Sequence, residues 1–235
     1  MKTLLVLGTA ILMSSVCGAQ TLDEIVKKNY SALGAEGLEK AKTIYMEGKA
    51  SQMGMEMPMV MQMKQPDKVR VVTTFNGMDI VMAYDGVKGY MINPMTGASD
   101  PVELPAEQLG DVQRYNMFHN QLLEQFNGGK LKLLGEEDVN GQPAYKLEVA
   151  AAEGGKPSYI FIDKGSNMIV KTTATVNQMG QDFEVETYTK EYSDINGIKF
   201  PKVTSSFVNG MEAGGMTFDK IEIDREMNDS IFSLK

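Results

Sequence analysis

Six methionines occupy every second position from Met53 to Met63, in the run Met-Gly-Met-Glu-Met-Pro-Met-Val-Met-Gln-Met. A β-strand sends successive side chains to opposite faces. Read as a strand, this run carries a continuous strip of thioethers on one face and Gly54, Glu56, Pro58, Val60 and Gln62 on the other. A helix would scatter the same methionines around its circumference. Methionine is long, unbranched and polarizable, and it suits surfaces that must adapt to varied partners. The pattern therefore predicts a compliant apolar wall.

The N-terminus carries Lys2, an apolar stretch from Leu4 to Met13, and then the small residues Ser14, Ser15, Gly18 and Ala19. This is the pattern of a secretory signal peptide cleaved after Ala19, which implies an exported, periplasmic protein. About ten apolar residues fall short of the roughly 20 needed to cross a bilayer. Val16 in front of Cys17 argues against a lipid anchor on that sulfur, because the preceding residue is normally small. Without residues 1–19 the chain has no cysteine, 22 basic and 31 acidic residues, and a net charge of −9. That balance argues against nucleic acid as a partner, since phosphates call for clustered Lys and Arg. Residues 20–235 show no linker or shift in composition and are expected to form one domain, a monomer.

Asn-Gly or Asp-Gly pairs at 76–77, 85–86, 127–128, 140–141, 196–197 and 209–210 accept positive φ and mark tight turns. Gly-Gly at 154–155 and 214–215 adds two expected reversals. Period-2 runs lie between them, such as Met78, Ile80, Met82 and Tyr84, or Phe183, Val185 and Thr187. The spacing predicts a mainly β (α+β) fold, an incomplete antiparallel barrel of about eleven strands. Asp138-Val-Asn-Gly and Asp194-Ile-Asn-Gly read as repeated turn chemistry.

Two amphipathic helices are expected to cover the concave side. Thr21–Leu33 has Thr21 as N-cap, Glu24 completing a capping box and Gly34 as its stop. A second helix is expected over Asp111–Phe126, with Val112, Tyr115, His119, Leu122 and Phe126 on one stripe.

Catalysis finds little support. His119 is the only histidine, and its place on an apolar stripe predicts a buried, hydrogen-bonded structural role. No metal ligand set, catalytic residue or cofactor motif stands out. The methionine strip leaves three readings open: a packed core in an envelope structural or assembly module, a wall for acyl chains, or a Cu(I) site, because thioethers favour soft metals. Neighbours on one face lie about 6.6 Å apart, but the lining continues as Val69, Val71, Phe75, Ile80 and Phe183, which bind no metal.

The stretch Met59-Val-Met-Gln-Met-Lys-Gln-Pro-Asp-Lys-Val-Arg70, followed by Asp85-Gly-Val-Lys-Gly-Tyr-Met-Ile-Asn-Pro94, resembles the periplasmic lipoprotein-carrier family, LolA and LolB. Asp194-Ile-Asn-Gly-Ile-Lys-Phe-Pro201 and Asn228-Asp-Ser-Ile-Phe232 resemble its Bacteroidetes-type secreted relatives. The resemblance implies a half-barrel with a helical lid and a non-enzymatic carrier of lipoprotein acyl chains or another lipid. It also implies an inner-membrane donor and an outer-membrane acceptor. Two positions depart from the family: Gln65 stands where an arginine latches the lid, and Tyr90 where a tryptophan is expected. On this reading Met55, Met57, Met59, Met61, Met63, Val71, Phe75, Met78, Ile80, Met82 and Tyr90 line the cavity. Tyr115, Phe118, Leu122 and Phe126 form the lid.

Overall fold

The computed structural model describes residues 20–151, 155–178 and 180–234. The expected leader and Gly154 lie outside these residues. Thirteen strands form a single antiparallel sheet that does not close. The first six run as a meander: β1 (Thr43–Gln52), β2 (Met55–Lys64), β3 (Lys68–Phe75), β4 (Met78–Tyr84), β5 (Gly89–Asn93) and β6 (Ala98–Glu103). The other seven run back: β7 (Leu131–Val139), β8 (Gln142–Val149), β9 (Ser158–Asp163), β10 (Ile169–Gln178), β11 (Gln181–Ile195), β12 (Ile198–Val208) and β13 (Met211–Ile223). The last strand pairs with the first, so β6 and β7 are the two free edges. The count exceeds eleven because short strands such as β6, Ala-Ser-Asp-Pro-Val-Glu, carry no period-2 signal.

The turn chemistry explains the meander. Asn76-Gly77, Asn140-Gly141, Asn196-Gly197 and Asn209-Gly210 all place both residues at positive φ, which suits the twist of a two-residue hairpin. The Asp138 and Asp194 carboxylates each accept the N–H of the turn glycine three residues on, at 2.7 and 2.8 Å. Three expected positions change. Met53 and Gly54 have φ of 50° and 80° and make the β1–β2 turn, so the strip on β2 begins at Met55. Asn127-Gly128 ends a helix rather than a hairpin. Gly214 and Gly215 lie inside β13, where an added Cβ would fall 2.0 Å from the Ser51 carbonyl oxygen and 2.2 Å from that of Thr204. Those glycines permit close strand approach and do not reverse the chain.

Helix α1 (Leu22–Leu33) has the expected capping box and a left-handed Gly34 stop. The short α2 (Ala35–Lys40) follows. The expected 111–126 helix is two pieces, α3 (Leu109–Gln113) and α4 (Gln121–Asn127). Asparagines break it. The Asn116 carboxamide oxygen accepts from Phe118 N, and that of Asn120 caps α4 by accepting from Leu123 N. Such local bonds compete with the helical ladder.

The concave face carries two apolar clusters. One joins Ile44, Met46, Met59, Met61, Met63, Val69 and Val71 to Leu104 and Val112. The other joins Ile25 and Val26 of α1 and Leu122 of α4 to Tyr145, Leu147 and Ile162. On the convex face, the tail seats Met227 and Phe232 against Tyr45 and Val60, and Asp229 bridges Lys64 and Lys68.

Candidate functional site

Strand register assembles the wall. On β2, Met63 lies between Ile44 and Val69, Met61 between Met46 and Val71, and Met59 between Gly48 and Thr73. Further out, Met57 pairs with Ala50. Across β3 and β4, Val71 pairs with Met82, Thr73 with Ile80 and Phe75 with Met78. Every one of these positions shares the concave face, as period-2 geometry requires.

The strip changes character along its length. Met59, Met61 and Met63 are buried. Tyr115, Met117 and Phe118, from the segment between α3 and α4, pack against their cluster. The Met117 N–H donates to Met63 Sδ at 3.4 Å. Met57 is half-buried, Met55 is 49% exposed and Met53 82% exposed. Beside them Phe75, Ile80 and Met82 are partly exposed, and Met78 is exposed. The face thus runs from a covered inner half, plugged by the segment between α3 and α4, to an outer apolar strip whose side chains are half-buried or exposed.

The predicted site residues divide accordingly. Tyr115 and Phe118 cover methionines, whereas Leu122 and Phe126 pack with the α1 cluster. Tyr90 does not line the wall. It pairs with Ala83, opposite in face to the Met82–Met91 pair, and is buried on the other side of the sheet. A one-residue step along a strand reverses the face, and it is Met91, paired with Met82, that packs against the methionine cluster. Met46, Met117 and Met216 also join or pack against the methionine cluster. Parity within their own strands could have found Met46 and Met216; Met117 lies outside any strand and carries no such signal.

His119 is not buried on a helix. It sits between α3 and α4 with its side chain 48% exposed, Nε2 at 2.8 Å from Asp67 Oδ1 and Nδ1 at 3.0 Å from Glu124 Oε1. The hydrogen bond to Asp67 holds its pKa above the ordinary value; desolvation opposes this, and Glu124 adds to it. Nearby, Asn116 Nδ2 donates to the Pro66 carbonyl at 3.4 Å. These contacts tie the plug to the β2–β3 turn. A polar crevice of about 410 Å³ opens there, with Tyr84 and Arg114 also on its walls. A second crevice of about 230 Å³ runs between Leu33, Leu38, Met117, Leu122 and Phe200. It is smaller than the roughly 300–1,000 Å³ of typical ligand pockets.

Gln65, the position without the charged latch, makes a neutral contact instead. Its Nε2 donates to the carbonyls of Glu39 and Ala41 at 3.0 and 2.7 Å. These acceptors lie at the C-terminal end of α2, where helix carbonyls lack internal partners, and a carboxamide NH2 offers two donors. Among the described residues, no group of three or more His, Cys, Asp or Glu comes together to hold a metal ion. No helix among them is long and apolar enough to cross a membrane.

No protein-family model matches the chain, and no curated protein matches it either. Solved structures do. A LolA superfamily protein from Nitrosomonas europaea aligns with a TM-score of 0.58 at 14% identity, covering 92% of this chain and 98% of that one. A putative outer membrane lipoprotein-sorting protein domain from Vibrio parahaemolyticus gives 0.57 at 12% identity, covering 89% and 97%. A DUF1329 family protein from Desulfovibrio piger gives 0.58 at 12% identity, covering 90% and 99%. At these identities the likeness is one of fold: the chain has the LolA-like incomplete barrel.

Proposed function

We propose that this chain is a non-enzymatic periplasmic carrier, working as a monomer, that shelters lipoprotein acyl chains or another lipophilic ligand against the methionine wall on the way towards the outer membrane. One observation carries the reading. The methionine wall continues past its cover as half-buried and exposed apolar side chains, so on this reading a ligand chain enters at Met55, Met57, Met78 and Ile80 and advances by displacing Tyr115, Met117 and Phe118. The lipoprotein-sorting description of one structural neighbour is consistent with that cargo.

The energetics suit a shuttle. Each buried acyl methylene contributes about 0.8 kcal/mol relative to water. Relative to a bilayer the gain is near zero, because lipid tails already lie in an apolar medium. Displacing the plug adds a cost. Uptake therefore calls for a donor at the inner membrane, and release needs only an acceptor that binds the chain better.

Native mass spectrometry of the mature protein from a Gram-negative periplasm tests this. A co-purified acyl adduct is expected, together with uptake of a fluorescent fatty acid. Met57→Asp with Ile80→Asp should abolish both while the thermal melt persists. A bare mass with no fatty-acid uptake would favour a packed structural module and end the proposal. A copper adduct that is lost when Met57 becomes Leu would replace it with a metal site.

A further inference from the structure

The exposed large apolar side chains are not scattered. Nine are exposed among the described residues. Six of these, Met53, Met55, Met78, Met95, Val176 and Met211, lie at or beside the turns on one end of the sheet. Strand order sets the β1–β2 and β12–β13 turns side by side, with the β3–β4 turn two strands away; Met95 and Val176 lie further out on either side of the same rim. The β1–β2 turn adjoins the start of β13 through the Gln52–Gly214 pair, and β3 closes on β4 at Phe75–Met78. On the same end, β11 meets β12 at Val185–Val208, beside the β12–β13 turn. Met53 is 82% exposed, and Met211 is 73% exposed. Contiguous exposed apolar surface marks an interaction site more often than chance, and methionine serves surfaces that accommodate more than one partner.

Charge identifies the kind of partner. Lys49 and Lys156 near these turns are already paired with Glu56 and Asp182. Asp100, Glu184 and Glu212 are exposed and form none of the ion pairs found among the described residues. An anionic membrane surface attracts basic segments, so it would repel this rim. We infer that the methionine rim docks a protein segment that presents apolar side chains among Lys and Arg. Met55 and Met78 belong to both the rim and the outer apolar strip, so such a partner would sit where the strip meets the rim. The inference does not depend on the acyl-chain reading.

The test titrates the mature chain with a short fluorescent Leu/Lys peptide, its Leu/Glu counterpart, and phosphatidylglycerol or phosphatidylcholine vesicles. The variants Met53→Asn with Met211→Ser and Glu184→Gln with Glu212→Gln are compared. Asn tolerates the positive φ of position 53, so the turn is kept, and neither pair belongs to the wall on β2–β4. The Leu/Lys peptide should bind, weaken about ten-fold or more in the methionine pair, weaken several-fold in the glutamate pair, and release with salt. Unchanged binding in the methionine pair, equal binding of the Leu/Glu peptide, or tighter binding to either vesicle would each overturn the inference. Fatty-acid uptake should be intact in the methionine pair. Its loss alone would bear on the carrier reading and leave peptide docking standing.

Discussion

The two ends of the concave face solve one packing problem in different ways. Against β8–β10, α1 lays Ile25 and Val26 on Leu147 and Ile162, all buried. The covering element is a regular 12-residue helix with a complete capping box, and the Asn29 carboxamide ties it to the Asn167 carbonyl at 2.8 Å. Against β1–β3, the wall is methionine and the cover is the irregular segment between α3 and α4. Branched aliphatic side chains lose roughly 0.5–1 kcal/mol of rotamer entropy on burial, and methionine up to about 2. A methionine interface is therefore held less firmly for the same buried area, and it re-forms around a different filler with little strain. On the proposed carrier reading, one end stays shut and the other exchanges what fills it.

The sharpest way to break this comparison is to cut each end by a similar chemical step. Leu147→Ala in the α1 cluster should lower the unfolding free energy by about 2–5 kcal/mol, read from urea denaturation. Met61→Ala on the methionine side should cost less, at the low end of that range near about 2 kcal/mol, because compliant neighbours collapse into the space. Equal losses would show that both clusters are rigid core, and the exchangeable-filler account would fall.

The sequence carried the sheet and the strip but not the plug. Alternation at Met55–Met63 and the Asn-Gly pairs at 76, 140, 196 and 209 are local signals: each depends on strand parity or on φ at two residues, and both survive in the fold. The face of Tyr90 was misread because a four-residue link, Asp85–Lys88, separates β4 from β5 and hides the parity. The 111–126 helix failed because apolar spacing outweighed Asn116 and Asn120, whose side-chain bonds depend on their surroundings. The partners of Gln65 lie about 25 residues away in sequence, at Glu39 and Ala41. Nothing local announces them. The inner half of the wall is legible as apolar, but its occupation by Tyr115, Met117 and Phe118 is a tertiary fact.

Gln65 offers a second, smaller probe, because it joins the β2–β3 turn to the end of α2 and so couples the two ends. Gln65→Ala removes two hydrogen bonds, each with a net contribution of about 0.5–1.5 kcal/mol. Hydrogen exchange should quicken across α2 and residues 39–42 while protection of β8–β10 is unchanged. Faster exchange throughout the sheet would mean that Gln65 supports the whole fold and does not act as a local tie.

The smallest effect belongs to His119 and is the most diagnostic of the exchangeable end. Each ring nitrogen faces a carboxylate oxygen, Asp67 on one side and Glu124 on the other. Only the imidazolium can donate to both, because the neutral ring has a single N–H. The Asp67 bond, then Glu124, raises the folded-state pKa above 6.5 against desolvation. The contribution to holding the plug is therefore complete below the unfolded value and is lost as pH rises through the raised one. Arg114, on the wall of the same crevice, is paired with Asp111 at 3.4 Å. Half exposure limits the gain to under about 1 kcal/mol. Exchange rates corrected for intrinsic chemistry should show residues 109–120 opening more readily at about pH 8.5 than at about pH 5.5. The α1 cluster should show no such change, and His119→Gln should abolish the difference. A pH response of equal size in α1, or one that persists in His119→Gln, would place the titrating group elsewhere and remove the proton latch from the methionine side.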